Sequence, residues 1–104
     1  MKEITVKELK IKIDNQEDFQ LIDIREAYEK EICNIGGELI PMGDVMGSLE
    51  KISKNKPVVL HCRSGKRSAA MVMHLGTMGF DNLYNLKGGI LAWADEIDSS
   101  IPKY

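Results

Sequence analysis

Short apolar runs alternate along this chain with segments whose apolar positions recur every three or four residues. A short continuous apolar run is typical of a strand buried on both faces, and the helical spacing is typical of a helix packed on a sheet. The runs predict four buried strands and a short edge strand, at residues 20–24, 38–40, 57–61, 83–86 and 4–6. The helical patterns lie at residues 6–13, 26–32, 45–52, 68–78 and 89–97.

Strands that alternate with helices predict an α/β fold, in which a parallel sheet lies between two layers of helices. The helix at 68–78 is apolar almost all round and is expected to be buried, and Asp44 is placed to cap the helix at 45–52. A chain of 104 residues can bury one core, so we expect a single domain over residues 1–104. In such sheets ligands bind where strands end and helices begin, which points to the segment 57–78.

Composition narrows the possible functions. Hydrophobic residues make up 43% of the chain and charged residues 29%, with a formal net charge of −2. This balance is typical of a globular protein and attracts neither nucleic acid nor an anionic membrane. No apolar stretch has the length of a signal peptide or a membrane span. We therefore expect a cytoplasmic protein with two reduced cysteines, whose spacing to the histidines does not match a zinc site.

The candidate chemistry lies in the segment VVLHCRSGKRSAAMVM, residues 58–73. Cys62 is the first residue after an apolar strand, and Ser64 and Gly65 allow a tight loop whose N–H groups turn inward. The following helix adds a partial positive charge at its N-terminus. Full positive charges come from three neighbours: Arg63, Lys66 and Arg67. Such surroundings favour the nucleophilic thiolate, so we interpret Cys62 as a nucleophile rather than a small buried hydrophobe.

This loop resembles two known active-site loops. One is the loop of the rhodanese family, in which a cysteine is followed by five loop residues before the helix. The other is the HC-x5-R signature of the cysteine phosphatases, but here Arg67 lies five positions after Cys62 and Ser68 occupies the sixth. The shorter loop makes a smaller cradle, which suits a terminal sulfur atom better than a tetrahedral phosphate. A phosphatase or arsenate reductase is therefore the less favoured alternative.

Two further segments resemble the rhodanese family. LIDIREAYEKE at residues 21–31 is similar to its LIDVREPxEYE segment, and LKGGILAW at residues 86–93 is similar to its closing LxGGxxAW segment. The resemblance covers about residues 20 to 95. It implies a three-layer α/β/α fold with a five-stranded parallel sheet, and the activity of a single-domain thiosulfate sulfurtransferase that needs no metal or organic cofactor.

The resemblance also implies how sulfur moves. Cys62 would take a sulfur atom from a small anionic donor such as thiosulfate and carry it as a persulfide. The acceptor would be cyanide or a thiol, or a partner protein if the chain serves as a relay, and the sequence leaves both open. The donor is expected to bind at the loop, formed by Arg63, Ser64, Gly65, Lys66, Arg67 and Ser68.

The charged residues near the loop can each be interpreted in two ways. Asp23 and Arg25 close the second strand at the same edge of the sheet, where the resemblance implies a pair that braces the loop. The alternative is a surface ion pair, which contributes about 0–1 kcal/mol. Arg67 either binds substrate or bridges back to Asp23 or Glu26.

Three other residues are weighed in the same way. Ser68 either donates a hydrogen bond to the sulfur or caps the helix, and capping is the commoner role. His61 is expected to end a strand with its side chain directed away, because the loop itself can stabilise the thiolate. Cys33 follows the apolar Ile32 and is expected to be a buried, inert thiol rather than a resolving thiol. No additional apolar face is evident, so a monomer is the default expectation.

Overall fold

The computed structural model describes all 104 residues and contains one sheet. Its five strands are all parallel: β1 (Glu3–Ile4), β2 (Gln20–Asp23), β3 (Glu38–Leu39), β4 (Val58–His61) and β5 (Leu83–Leu86). Four α-helices accompany them: α1 (Val6–Asp14), α2 (Ala27–Ile32), α3 (Lys66–Gly76) and α4 (Gly89–Glu96). The predicted α/β fold with a five-stranded parallel sheet is confirmed.

The strands lie in the order β1-β5-β4-β2-β3, which places β4 at the centre of the sheet. All four residues of β4 are buried, as expected for a strand covered on both faces. In the pairing of β2 with β4, Asp23 stands opposite His61. The chain segments that follow these two strands therefore emerge side by side, and Cys62 and Arg25 begin at the same edge.

The core has two parts, one on each face of the sheet. Successive side chains of a strand point to opposite faces, so Val58 and Leu60 of β4 belong to one cluster and Val59 to the other. The first cluster includes Met71, Val72 and Leu75 of α3. The second includes residues of α1 and α4: Val6, Leu9 and Trp93. Helices thus cover both faces, which gives three layers.

The prediction of a helix at residues 45–52 is wrong. The chain forms two short 3₁₀ turns instead, at Met42–Asp44 and Leu49–Lys51, so Asp44 lies within a turn and caps no α-helix. Val45 and Ile52 are buried in the core as their spacing suggests. Glycine disfavours helix, and the glycines at 43 and 47 explain why these apolar anchors are joined by turns.

The central helix also differs from its prediction. α3 begins at Lys66, two residues before the expected start, and ends at Gly76. It is not buried all round as expected, because Met73 is 63% exposed while Met71, Val72 and Leu75 face the core. The early start matters for the site, since it places Ser68 inside the first turn. None of the helices has the length and apolar character that crossing a membrane requires.

Candidate active site

The thiol of Cys62 lies in a cradle of N–H groups at the C-terminal end of β4. The residue is 1% exposed, the backbone N–H of Gly65 donates to its Sγ at 3.1 Å, and the N–H of Ser68 does so at 3.5 Å. The loop turns this tightly because Gly65 adopts a φ of +99°, a left-handed conformation that favours glycine. The positive end of α3 faces the same sulfur, so the cradle stabilises negative charge there.

The N-terminus of α4 supports this loop from behind. The N–H groups of Ile90 and Leu91 donate to the carbonyl oxygens of Cys62 and Arg63, at 3.0 and 3.1 Å. These donors belong to the first turn of a helix, where no intrahelical acceptor is available. The two carbonyl oxygens therefore point at α4, and the loop presents donors rather than acceptors to the thiol.

Ser68 does not cap α3, since Gly65 occupies the N-cap position. Its hydroxyl lies 3.4 Å from the Sγ of Cys62, but it is only 2.5 Å from the Oδ1 of the buried Asn85. A hydroxyl has a single proton, and the shorter contact takes it. The backbone N–H groups of Gly65 and Ser68 thus remain the principal donors to the sulfur.

The cations of the loop divide into two kinds. Arg63 and Lys66 are exposed and make no hydrogen bond or ion pair within the protein, and Ser64 is exposed between them. Arg67 instead forms a bidentate pair with Glu29 of α2, at 2.8 and 2.9 Å. It therefore bridges neither to Asp23 nor to Glu26. Its predicted contact with substrate stays a prediction.

Glu29 is a buried carboxylate with every oxygen engaged. Besides Arg67, it accepts hydrogen bonds from the N–H of Glu26 at 3.0 Å and from the hydroxyl of Tyr104 at 2.6 Å. The hydrogen bonds from Arg67 are the main reason that its pKa falls from 4.5 to about 2. The same pairing raises the pKa of Arg67. Both groups are therefore ionised at neutral pH.

Asp23 and Arg25 form a buried ion pair rather than the surface pair weighed as an alternative. Arg25 donates to both oxygens of Asp23, at 2.9 and 2.8 Å, and neither residue is more than 1% exposed. Its remaining donors reach the carbonyl of Cys33 at 2.7 Å and the hydroxyl of Tyr104 at 2.9 Å. Burial has the largest single effect on the pKa of Asp23 and raises it, but the hydrogen bonds from Arg25 together with the charges of His61 and Arg25 outweigh burial and lower that pKa.

His61 is fully buried behind the site. Its Nε2 lies 3.8 Å from the Oδ2 of Asp23, and its Nδ1 lies 3.4 Å from the carbonyl of Cys62. Burial lowers its pKa from 6.5 to about 4 and the charge of Asp23 opposes this only in part, so the ring is neutral at neutral pH. Cys33 is also buried, and its Sγ lies 3.9 Å from Arg25.

Sequence reasoning missed three residues of this site: Glu29, Asn85 and Tyr104. Glu29 carried one usable signal, because it stands three residues after Glu26 at a helix start, the spacing of a capping box. Asn85 is hidden within an apolar strand pattern, and Tyr104 lies 75 residues from Glu29 in the chain. No group of three His, Cys, Asp or Glu side chains forms a cluster that could hold a metal ion.

Comparison with known proteins agrees with this geometry. Residues 5–96 match the family model of the rhodanese-like domain. A solved rhodanese-like domain protein from Staphylococcus aureus superposes with a TM-score of 0.84 at 37% identity, covering 93% of this chain and 95% of that one. The protein named "Sulfurtransferase" from Allochromatium vinosum is 37% identical over 93 residues, which cover 88% of this chain and 87% of that protein.

A larger relative matches over a part of its length. "Probable adenylyltransferase/sulfurtransferase MoeZ" of Mycobacterium tuberculosis is 34% identical over 104 residues, which are 97% of this chain and 26% of that protein. The chain thus spans about a quarter of that relative's length. Since the family match extends over most of the chain and contains the whole loop around Cys62, this chain belongs to the rhodanese-like domain family.

Proposed function

We propose that this protein is a sulfurtransferase that carries sulfane sulfur as a persulfide on Cys62, with thiosulfate or a chemically similar anion as donor. The observation that carries the proposal is the cradle around the thiol. Two backbone N–H groups at the N-terminus of α3 converge on Sγ, and two cations without an ion-pair partner stand at the rim. Membership of the family, with a relative named as a sulfurtransferase, supports the same reaction.

The first half-reaction loads the enzyme. The thiolate of Cys62 attacks the outer sulfur of thiosulfate and forms a new S–S bond. The bond between the two donor sulfurs breaks, and its electron pair leaves with sulfite. The terminal sulfur of the persulfide keeps the negative charge, which the N–H groups of Gly65 and Ser68 stabilise as an oxyanion hole stabilises oxygen. Arg63 and Lys66 hold the anionic end of the donor.

The second half-reaction transfers the sulfur from the enzyme to the acceptor. A nucleophile such as cyanide attacks the terminal sulfur, the persulfide S–S bond breaks, and its electron pair returns to Cys62 as thiolate. Thiocyanate leaves, and the enzyme is ready for another donor. Because each product departs before the next substrate reacts, the scheme predicts ping-pong kinetics. The neutral, buried His61 takes no part in either step, since neither step moves a proton.

The test is the intact mass of the purified protein before and after incubation with thiosulfate. We expect a gain of about one sulfur atom, which cyanide reverses. Cys62→Ser should show no gain, whereas Cys33→Ser should load like the wild type. If Cys62 is freely alkylated but takes up no sulfur, the proposal fails, and hydrolysis of aryl phosphates and reduction of arsenate become the reactions to examine.

A relay is the second candidate, in which the persulfide passes to a partner protein. The relative that combines adenylyltransferase with sulfurtransferase in one name favours it, because this chain corresponds to one quarter of that larger protein. Turnover with small acceptors separates the two candidates. Rapid discharge to a small thiol at physiological concentration supports an enzyme, whereas slow discharge that a protein acceptor accelerates supports a relay. Discharge to cyanide alone does not separate the two, because a carrier also discharges to cyanide.

A further inference from the structure

Arg63 is exposed and makes no hydrogen bond, but its guanidinium contacts an aromatic ring. Its Cζ lies over the ring of Tyr104, 4.9 Å from the ring centroid. An arginine within about 6 Å of an aromatic face is attracted to it by the ring quadrupole. The residue that follows the nucleophile thus contacts a tyrosine that is distant from it in the sequence.

Tyr104 is itself firmly placed. Its hydroxyl donates to Glu29 at 2.6 Å and accepts from Arg25 at 2.9 Å. Burial and the contact with Glu29 raise the pKa of Tyr104 to about 12, so the phenol stays neutral and keeps its proton. Glu29 also forms the bidentate pair with Arg67. The side chain of Tyr104 therefore connects the exposed Arg63 to this ion-pair network.

We propose that Tyr104 is a positioning residue that holds the guanidinium of Arg63 at the rim of the Cys62 loop for donors bearing an oxyanion group. This inference deepens the proposed function and, as to the donor, rests on it. A guanidinium lying over a ring face keeps its in-plane N–H groups free. Those donors match a pair of oxygens, as on the sulfonate end of thiosulfate.

The variants separate the ring of Tyr104 from its hydroxyl. Tyr104→Phe keeps the aromatic face, over which Arg25 also lies at 5.9 Å, and loses only the hydrogen bonds of the hydroxyl with Glu29 and Arg25. Tyr104→Leu loses both the aromatic face and these hydrogen bonds. Arg63→Ala removes the group that the ring is proposed to hold. Placing each Tyr104 substitution in the Arg63→Ala background completes a double-mutant cycle, which isolates an effect that passes through Arg63.

The measurement is the rate at which Cys62 is alkylated by iodoacetate, divided by its rate with iodoacetamide. Both reagents transfer a group of similar size to the same thiolate, so a general loosening of the loop changes both rates together. Only the anionic reagent responds to a guanidinium beside the thiol. We expect Tyr104→Leu to lower the ratio by about two- to fivefold, the range of an exposed cation–π contact, and Tyr104→Phe to preserve it.

In the Arg63→Ala background the ratio should already be low, and Tyr104→Leu should lower it no further. The second-order rate of loading from thiosulfate should fall in parallel with the ratio. The inference is overturned if Tyr104→Leu has the same ratio of alkylation rates as the wild type. It is also overturned if Tyr104→Leu lowers the ratio equally in the Arg63→Ala background. If the wild type takes up no sulfur while the ratios behave as expected, the sulfurtransferase proposal fails and the positioning of Arg63 by Tyr104 stands.

Discussion

Gly89 lies so close to Arg63 that a Cβ atom at position 89 would stand 2.4 Å from the Arg63 carbonyl oxygen. The carbonyl oxygen of Cys62 would lie only 2.7 Å away. Gly89 also has a φ of +60°, which side chains rarely adopt. This contact lets the first turn of α4 reach the active-site loop and donate to its two carbonyls.

The first prediction concerns Gly89→Ala. The added methyl group would meet backbone rather than a flexible side chain, so the loop or α4 must shift, and the N–H cradle of Cys62 would be distorted. We expect a loss of stability of about 1–3 kcal/mol and a loss of sulfur loading of tenfold or more. Urea denaturation and the mass assay measure the two effects.

Gly76→Ala provides the matched control, because a Cβ at position 76 meets nothing within 4 Å and the residue lies in helix. It should load normally and be as stable as the wild type or up to about 1 kcal/mol more stable. Normal loading by Gly89→Ala would show that the close contact with the loop does not shape the cradle.

The second prediction concerns the buried pair of Asp23 and Arg25. Arg25→Met leaves a buried carboxylate without its counter-charge, and removing one partner of such a pair costs about 3–5 kcal/mol. If the pair braces the loop and does no chemistry, protein that remains folded should still load sulfur. We expect a large drop in the free energy of unfolding, measured in urea, with loading in the cold that stays within about tenfold of the wild type.

An exposed ion pair tests whether burial is the reason that breaking the Asp23–Arg25 pair lowers stability so strongly. Lys56 and Asp18 are joined at 3.1 Å on the surface, so Lys56→Met should cost less than about 1 kcal/mol. Equal costs for the two substitutions would mean that the Asp23–Arg25 pair is held no more strongly than a surface pair.

The sequence predicted the strands and the reactive loop because both are local features. The apolar run at 57–61 needs no distant partner to be recognised, and neither do the cations beside Cys62. Spacing alone misled at 45–52, where Val45 and Ile52 reach the core from turns rather than from a helix. Apolar spacing reports which residues are buried, and it does not report the backbone that joins them.

The network behind the loop was beyond sequence reasoning for a different reason. The sequence leaves Arg67 two roles, binding substrate or bridging to Asp23 or Glu26, and the structure pairs it with Glu29 instead of either carboxylate. Several carboxylates stand within one helix and its approach, and only the rotation of α2 decides which of them faces the loop. Tyr104 reaches the same carboxylate across 75 residues, a contact that no local pattern encodes.

The third prediction concerns His61 and pH. Burial lowers its pKa from 6.5 to about 4, so between these values the unfolded chain binds a proton that the folded chain does not. Stability should therefore decline as the pH falls from about 6.5 towards 4, by up to about 3 kcal/mol. His61→Gln should lack this decline in urea denaturation. A persistent decline in the variant would assign it to another group.

The fourth prediction concerns Glu29, whose pKa is also lowered by folding, so that its contribution to stability changes at a lower pH than that of His61. Arg67 lowers its pKa from 4.5 to about 2, so the stability it contributes is complete above pH 4.5 and is lost as the pH falls towards 2. At neutral pH this contribution is up to about 3 kcal/mol. Glu29→Gln should therefore be least stable relative to the wild type near pH 7, and the difference should shrink steadily in more acidic solution.

Glu31→Gln controls for the loss of a carboxylate from the same helix. Glu31 is exposed and makes no ion pair, so its replacement should change the free energy of unfolding by less than about 0.5 kcal/mol at every pH. A pH-independent gap between Glu29→Gln and the wild type would contradict the assignment of the acid-labile stability to the Arg67 pair. A gap that closes towards low pH would identify this pair as the link between α2 and the loop that carries Cys62, since Arg67 has no other partner in the protein.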